Sequence, residues 1–417
     1  MSSAQRRPGV PLRLVLVLGA LTAVGPLSLT LYLPALPQMA DDLATTEAMV
    51  QLTMTACMVG LAFGQLLIGP VSDRYGRRRP LLIGVGAYAA SSSLCALAPD
   101  IGLLLGLRLV QGIGGGACIV IARAIVRDRF GTDDVARVFS LLLLVTGIAP
   151  VTGPLFGGQL VRLTSWPGLF VALGVIGAVI LVAAAWGLPE SLPPGARGNG
   201  GLRATGGRFA TVLRDPRFLG FTGVVALVTT VLFAYLSMSP FVLQGDYGLS
   251  VQAYSYVFAG SALGMMAAGQ VGAWLVRRRG AAWTLRAGLV VGLALDCALA
   301  AAVVLGAGRP WVLPLLVAAV SAVSLVLPSA SALAVARHRS RAGTAIGVLG
   351  LAQFGVSGGV APLIAAGGTS PSLMVSTMAC AAACALLIEL LLARTGVRRG
   401  AERTGERLRA VAPDGVA

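Results

Sequence analysis

Apolar runs of about 20 residues recur along the chain, separated by short polar gaps. Twelve windows stand out, at approximately 10–33, 50–71, 81–98, 101–123, 138–161, 168–188, 217–243, 251–275, 283–306, 311–336, 342–366 and 371–393. Each is long enough for an α-helix to cross the hydrocarbon core of a bilayer, which takes about 20 residues. An all-α integral membrane fold of twelve transmembrane helices is therefore predicted. The polar gaps alternate in charge. Arg6, Arg7 and Arg13 precede the first window. Arg74, Arg77, Arg78 and Arg79 follow the second, and Arg127, Arg129 and Arg137 the fourth. Five arginines from Arg197 to Arg217 follow the sixth, Arg277, Arg278, Arg279 and Arg286 the eighth, and Arg337, Arg339 and Arg341 the tenth; Arg394 and five more end the chain. The intervening gaps carry only Arg162 and Arg309. By the positive-inside rule both termini are placed in the cytoplasm and the number of spans is even.

Composition agrees. Of 417 residues 56% are hydrophobic and 12% charged, whereas soluble domains carry about 25% charged residues. The mean hydropathy is +0.85. A net charge of +16 would suggest nucleic acid if the arginines formed one stripe. They sit beside span ends instead, so topology and anionic lipid account for them and no nucleic-acid partner is expected. The first span follows Arg13, is longer than 20 residues and lacks a convincing cleavage site, which reads as a retained helix and not a signal peptide.

The longest polar break, residues 189–214, is rich in Gly, Pro and Arg and reads as a flexible linker. It divides the chain into an N-terminal six-helix bundle (1–188), a cytoplasmic linker (189–214), a C-terminal six-helix bundle (215–394) and a polar, basic cytoplasmic tail (395–417), which is expected to be disordered. Weak internal similarity supports duplication: Gly64-Gln65 precedes the Arg77–Arg79 cluster, and Gly269-Gln270 precedes the Arg277–Arg279 cluster. Cys57, Cys95, Cys118, Cys297, Cys380 and Cys384 all fall in apolar windows and read as small packing residues. His338 reads as a solvated loop residue. No metal site and no cofactor are expected.

Three motifs carry chemistry. Between spans two and three stands Gly69-Pro70-Val71-Ser72-Asp73-Arg74-Tyr75-Gly76-Arg77-Arg78-Arg79-Pro80. Its glycines permit close packing and a tight turn, and its aspartate can pair with arginines or with the positive end of a facing helix. Span four contains Arg108-Leu109-Val110-Gln111-Gly112, an arginine roughly 10 Å deep at 1.5 Å per residue. Such a residue faces a bundle interior or a water-filled cavity. Its role is either proton coupling and substrate contact or a structural donor to nearby carbonyls. Gln111 lies one turn away on the same face. Span five holds Ala149-Pro150-Val151-Thr152-Gly153-Pro154-Leu155-Phe156-Gly157-Gly158, which predicts a kinked, tightly packed helix.

These motifs resemble the signatures of the major facilitator superfamily: the G-x-x-x-D-R-x-G-R loop, the R-x-x-Q-G motif of span four and the antiporter motif of span five, here with alanine for its first glycine. The resemblance implies two pseudo-symmetric six-helix bundles and a conformational latch of Gly69, Asp73, Arg74, Gly76, Arg77, Arg78 and Asp128 closing against span eleven. It implies an antiporter motif of Pro150, Gly153, Pro154, Gly157 and Gly158. The run Tyr32-Leu33-Pro34-Ala35-Leu36-Pro37, with Ala124–Asp128, Ser237–Val242 and Ala342–Ala345, is similar to the bicyclomycin and chloramphenicol resistance (Bcr/CflA) branch of drug:proton antiporters. Family resemblance makes Thr30, Tyr32, Arg108, Gln111, Tyr235 and Phe241 candidate residues of the substrate and proton pathway. Branch members commonly have aspartate where this chain has Thr30, and relatives can have an acid where it has Thr22. The apolar part of span one thus holds no carboxylate. Asp296 in span nine, Glu389 near Arg394, and Asp41 and Asp42 at the outer mouth are the remaining acids weighed.

The expected function is a secondary active multidrug efflux transporter of the cell membrane. It works by alternating access with protons as the coupling ion, as a monomer, on a small-molecule substrate. A metabolite exporter or an uptake symporter of the same fold is the alternative. An enzyme would need a converging set of nucleophile, base or metal ligands, which the sequence does not supply. A nucleotide-driven pump would need a phosphate-binding loop with lysine, and all 32 basic residues are arginines. With Arg108 kept and no acid in span one, the cavity is expected to favour neutral, zwitterionic or anionic compounds over lipophilic cations.

Overall fold

The protein is described here from a computed structural model, which covers residues 12–130, 132–193, 195, 213–336, 342–365 and 368–411. The helices are α1 (Leu12–Thr30), α2 (Leu36–Asp42), α3 (Glu47–Tyr75), α4 (Arg78–Cys95), α5 (Ile101–Arg129), α6 (Thr132–Leu163), α7 (Trp166–Gly187), α8 (Pro216–Phe241), α9 (Val251–Arg279), α10 (Ala281–Val304), α11 (Arg309–Val335), α12 (Ala342–Ala365) and α13 (Pro371–Val411). Among the described residues nine segments are long and apolar enough to cross a membrane: α1 continued through α2, then α3, α5, α7, α8, α9, α10, α11 and α13. The other predicted spans are α4, whose hydropathy is lowered by Arg78, Arg79 and Ser91–Ser93, and α6 and α12. These twelve spans form two six-helix bundles. In the first, α3 packs on α5, α4 on α5 and α7, and α1 on α6; in the second, α8 packs on α11, α12 and α13, and α10 on α11 and α13. The bundles meet where α3 lies against α12 and α6 against α9.

Local sequence explains where these helices stop. The first apolar run, expected to continue to about residue 33, breaks after Thr30 because prolines cannot donate into a helix ladder. Leu33–Ala35 forms a 3-10 turn with Pro34 in its opening positions, and α2 starts with Pro37 in the same role. There Pro's missing N–H costs nothing. Thr46, Asp100 and Ser250 cap α3, α5 and α9, each accepting a backbone N–H from three residues ahead, at 3.3, 2.9 and 3.2 Å.

Helices α3 and α5 approach closely through Gly60, Gly64, Gly112 and Gly116. A Cβ on any of the four would collide with the facing backbone carbonyl of Leu109, Ile113, Cys57 or Leu61 respectively. Two Gly-x-x-x-Gly stripes therefore bring the backbones together, which in lipid is how helices gain packing contact. This device lay unread in the sequence because glycine is frequent throughout the chain.

Two expectations are corrected. The tail expected to be disordered continues α13 as far as Val411, in keeping with its Arg, Glu, Ala and Leu content. Cys57, Cys95 and Cys118 are buried packing residues, but Cys297, Cys380 and Cys384 are exposed on the helix surface. Glu389, weighed as an acid near Arg394, bonds Arg286 of α10 at 3.0 Å; the Arg394 side chain lies outside the described residues. His338 and most of the linker lie outside the described residues.

Candidate functional site

Between the bundles is a cavity of about 440 Å³ lined by α1, α3, α5, α6, α8, α9 and α12. Its walls are mostly apolar, with Leu29, Leu61, Ile119, Leu236, Phe258 and Met265, and its polar members are Thr22, Thr30, Gln65, Arg123, Tyr235, Ser261 and Gln353. Bonds between the bundles lie toward the side opposite the arginine-rich loops. Thr55 of α3 donates to the Gly358 carbonyl of α12. Gln244 donates to Pro34 O at 3.1 Å, and Gln252 to Gly158 O at 3.3 Å.

The six pathway candidates separate into three groups. Thr30 and Tyr235 line the cavity; Thr30 donates to Pro26 O at 2.9 Å and Tyr235 to Ser261 Oγ at 3.1 Å, with its ring stacked on Phe258. Arg108, Gln111 and Tyr32 do not line it and are fully buried together inside the first bundle. Arg108 donates to Thr53 O at 3.3 Å, Gln111 Oε1 at 2.5 Å and Ser28 O at 3.0 Å. Its guanidinium also lies 4.3 Å from the Tyr32 ring centroid and 5.6 Å from that of Phe170. Carbonyl acceptors and ring faces thus satisfy a charge that hydrocarbon would otherwise exclude. Gln111 hands its own amide to Ser92 at 2.7 Å, and Tyr32 OH meets Thr53 at 3.1 Å. Of the two roles weighed for Arg108, this geometry is that of the structural donor. Phe241 is buried at the end of α8, away from the cavity.

The antiporter motif places Pro150 on the cavity wall. A Cβ at Gly153 or Gly157 would strike Thr30 at the end of α1 or Leu31 just after it, and one at Gly158 would strike Ser255 of α9. These glycines therefore set the α1–α6 contact and part of the seam between bundles. Pro154 is buried beside them.

The loop motif closes a second polar cluster at the arginine-rich end. Arg77 is 6% exposed. Its Nη1 donates to Asp73 Oδ1 at 2.5 Å and Ser72 Oγ at 2.8 Å, and its Nε to Asp128 Oδ2 at 2.9 Å. Burial opposes its charge, but the bonds to Asp128 and Asp73 outweigh that and raise its pKa. Gly76 makes the turn at φ 91°, a conformation that only glycine adopts easily. Arg78 reaches Ala185 O at 2.8 Å, Arg74 lies over the Tyr75 ring, and Gly69 packs near Val120. The network's further acid is Glu190, which sequence reasoning passed over as part of the linker. Its carboxylate accepts the backbone N–H groups of Arg77 at 2.8 Å and Arg78 at 3.2 Å. Burial pushes its carboxyl up, yet the N–H donors of Leu192, Arg77, Arg78 and Ser191 prevail and hold it below the usual carboxylate range. The expected closure against span eleven falls on residues 337–344, whose side chains lie outside the described residues.

Arg123 was also missed, although the reasoning applied to Arg108 covers any arginine inside an apolar window. Asp296 is 2% exposed on α10 with Oδ1 unpartnered, and does not line the cavity. Asp41 and Asp42 are exposed. No group of metal-ligating residues occurs among the described residues.

Comparison with known proteins agrees with this architecture. The family model described as Major Facilitator Superfamily matches residues 18–362. The MFS-type transporter YdgK of Bacillus subtilis is 35% identical over 361 residues, covering 85% of this chain and 88% of that protein. A chloramphenicol resistance protein of Pseudomonas aeruginosa is 32% identical over 305 residues, 72% of this chain and 69% of its own. A bicyclomycin resistance protein homolog of Haemophilus influenzae is 29% identical over 352 residues, 84% and 88% of the two chains. Among solved structures, a D-xylose-proton symporter aligns with TM-score 0.72 at 14% identity, over 91% of this chain and 97% of its own. A bacterial homolog of the human lysosomal transporter Spinster, in an inward-facing and occupied conformation, aligns with TM-score 0.70 at 19% identity, over 91% and 96%. The resemblance read from the loop, span-four and span-five motifs is met by these relatives, and a multi-pass membrane transporter rather than an enzyme is what family and fold describe. The chain belongs to the Major Facilitator Superfamily.

Proposed function

We propose that the protein is a secondary active efflux transporter for antibiotics and other drug-like molecules in the plasma membrane, working as a monomer by alternating access and proton-coupled antiport. The observation that carries this reading is the mostly apolar cavity of about 440 Å³ between two bundles, a volume suited to drug-sized ligands. Relatives named for resistance to bicyclomycin and chloramphenicol support it. The arginine-rich loops face the cytoplasm, with both termini, the 189–214 linker and the 395–417 tail on that side; residues 1–188 and 215–394 are the moving bodies. The bonds between bundles on the opposite side close the cavity outward, and the Asp73–Arg77–Asp128 network stabilises the alternative state in which the inner side closes.

Drug-susceptibility profiling of an efflux-deficient host expressing this chain, with and without a protonophore, tests the proposal. Raised tolerance that the protonophore abolishes is expected. Unchanged susceptibility across chemically diverse drugs, with the protein present in the membrane, would contradict it. Drug accumulation that rises on expression would favour an uptake symporter instead.

A further inference from the structure

Two arginines of α5 have opposite surroundings. Arg108 spends its donors on three acceptors inside the first bundle. Arg123 stands about four turns further on, roughly 22 Å along the axis, where it is exposed and lines the cavity. Among the described residues Arg123 has no hydrogen-bond or ion-pair partner, and the cavity has no carboxylate. The neighbouring polar groups do not compensate it. The Thr30 and Ser261 hydroxyls donate to the carbonyls of Pro26 and Val257 in their own helices, and Tyr235 donates to Ser261. What remains is a fixed positive charge with five unanswered N–H donors, set in an otherwise neutral, mostly apolar chamber.

We propose that Arg123 is the anion-binding residue of this cavity, and that the compounds it selects join an apolar body to one carboxylate, sulfonate or similar anionic group; the proposal rests on the cavity being the transport site. The planar guanidinium offers paired N–H donors that match a carboxylate in bidentate fashion. The apolar body fits against Leu29, Leu61, Ile119 and Phe258. Among the apolar side chains of this wall the charge-assisted bond is stronger than in bulk water. The same charge repels lipophilic cations, and no acid among the described lining residues offsets it. The charge preference expected of Arg108 from the sequence thus belongs to Arg123, because Arg108 is withdrawn from the cavity.

The test uses the purified full chain in lipid nanodiscs and two probes of matched shape, 1-naphthylacetate and 1-naphthylacetamide, titrated calorimetrically at neutral pH. The wild type is expected to bind the carboxylate about tenfold or more tighter than the amide. Arg123→Gln brings the carboxylate down to the amide, and Arg123→Lys keeps part of the preference. Gln65→Glu retains the arginine but adds a carboxylate to the same wall, and should weaken the acid selectively; it decides the matter if Arg123→Gln binds neither probe. Equal affinity of the wild type for both probes overturns the proposal, as does a preference that survives both Arg123→Gln and Gln65→Glu. Drug efflux by the wild type together with equal probe affinities would remove the anion site and leave the efflux reading standing. A carboxylate preference lost in Arg123→Gln, without efflux of any drug, would do the reverse.

Discussion

The α3–α4 loop and the α9–α10 loop occupy matching places in the two bundles and differ in chemistry far more than in shape. Both turn through a glycine, Gly76 at φ 91°, ψ 164° and Gly280 at φ 84°, ψ 163°. Both are rich in arginine. Around Gly76 the charge is answered: Arg77 holds Asp73 and Asp128, and Glu190 clamps the start of α4. Around Gly280 the arginines rest on rings instead, Arg278 at 4.6 Å from the Trp274 centroid and Arg279 at 5.2 Å from that of Trp283. Both tryptophans are half-exposed, as suits aromatic residues anchored at a membrane interface. Positive charge and chain reversal are thus common to both loops and serve topology. Among the described residues carboxylates answer the arginine beside Gly76 directly, whereas the second loop's ion pair, Arg286–Glu389, is set back in α10; the proposed latch accordingly belongs to the first loop.

Removing one carboxylate should have the largest effect. Asp73 is 57% exposed, so its bond to Arg77 contributes less than about 1 kcal/mol to stability. Asp73→Asn should therefore leave thermal unfolding of the purified protein almost unchanged while reducing drug transport by about tenfold, a change of roughly 1.4 kcal/mol in the balance between states. Transport at the wild-type level would show that Asp73 has no part in the balance between states.

Backbone substitution sharpens the comparison next. Alanine at either glycine enters a region that is essentially reserved for glycine, at a cost of about 1–3 kcal/mol. Gly76→Ala and Gly280→Ala should lower the unfolding temperature by similar amounts. Transport should fall further in Gly76→Ala, because the strain displaces Arg77. Equal transport by the two variants would show that the loops are functionally alike.

A smaller effect is expected from acid. The Glu190 carboxyl lies below its ordinary value in the folded protein, so its clamp is fully present above the unfolded pKa of about 4.3 and is lost as pH falls through the lower folded value. Glu190→Gln should lower the unfolding temperature at neutral pH, and the difference from wild type should shrink on acidification below pH ~4. A gap that widened there would reverse the assignment. Least affected should be Arg278→Gln and Arg279→Gln, with transport within about twofold of wild type, since stacking on exposed tryptophan contributes only about 0.5–1 kcal/mol.

How far the sequence discloses this arrangement depends on whether the signal is local. Span number, the Arg77 loop and the span-five glycines are legible because hydrophobic run length and fixed glycine spacing are properties of contiguous residues. Arg108 was visible as an expensive buried charge, but its environment was not. Ser28, Thr53 and Phe170 lie on three other helices, and only the packing shows that they consume its donors. Arg123 and Glu190 escaped for the opposite reason. Each stands at the edge of an apolar window, where an arginine or glutamate normally meets solvent, and tertiary structure turns one into the cavity and the other onto two backbone amides.

The central claim is that the Asp73–Arg77–Asp128 network biases a movement that opens and closes the arginine-rich side. Spin labels at Arg127 near the end of α5 and at Ala336 just after α11, in a background without the six native cysteines, report the distance across that side by pulsed electron resonance. Two populations are predicted for the wild type, one at the separation of this structure and one shorter, with Asp73→Asn depleting the shorter. A single population in the wild type, or identical distributions with and without Asp73, would contradict the account.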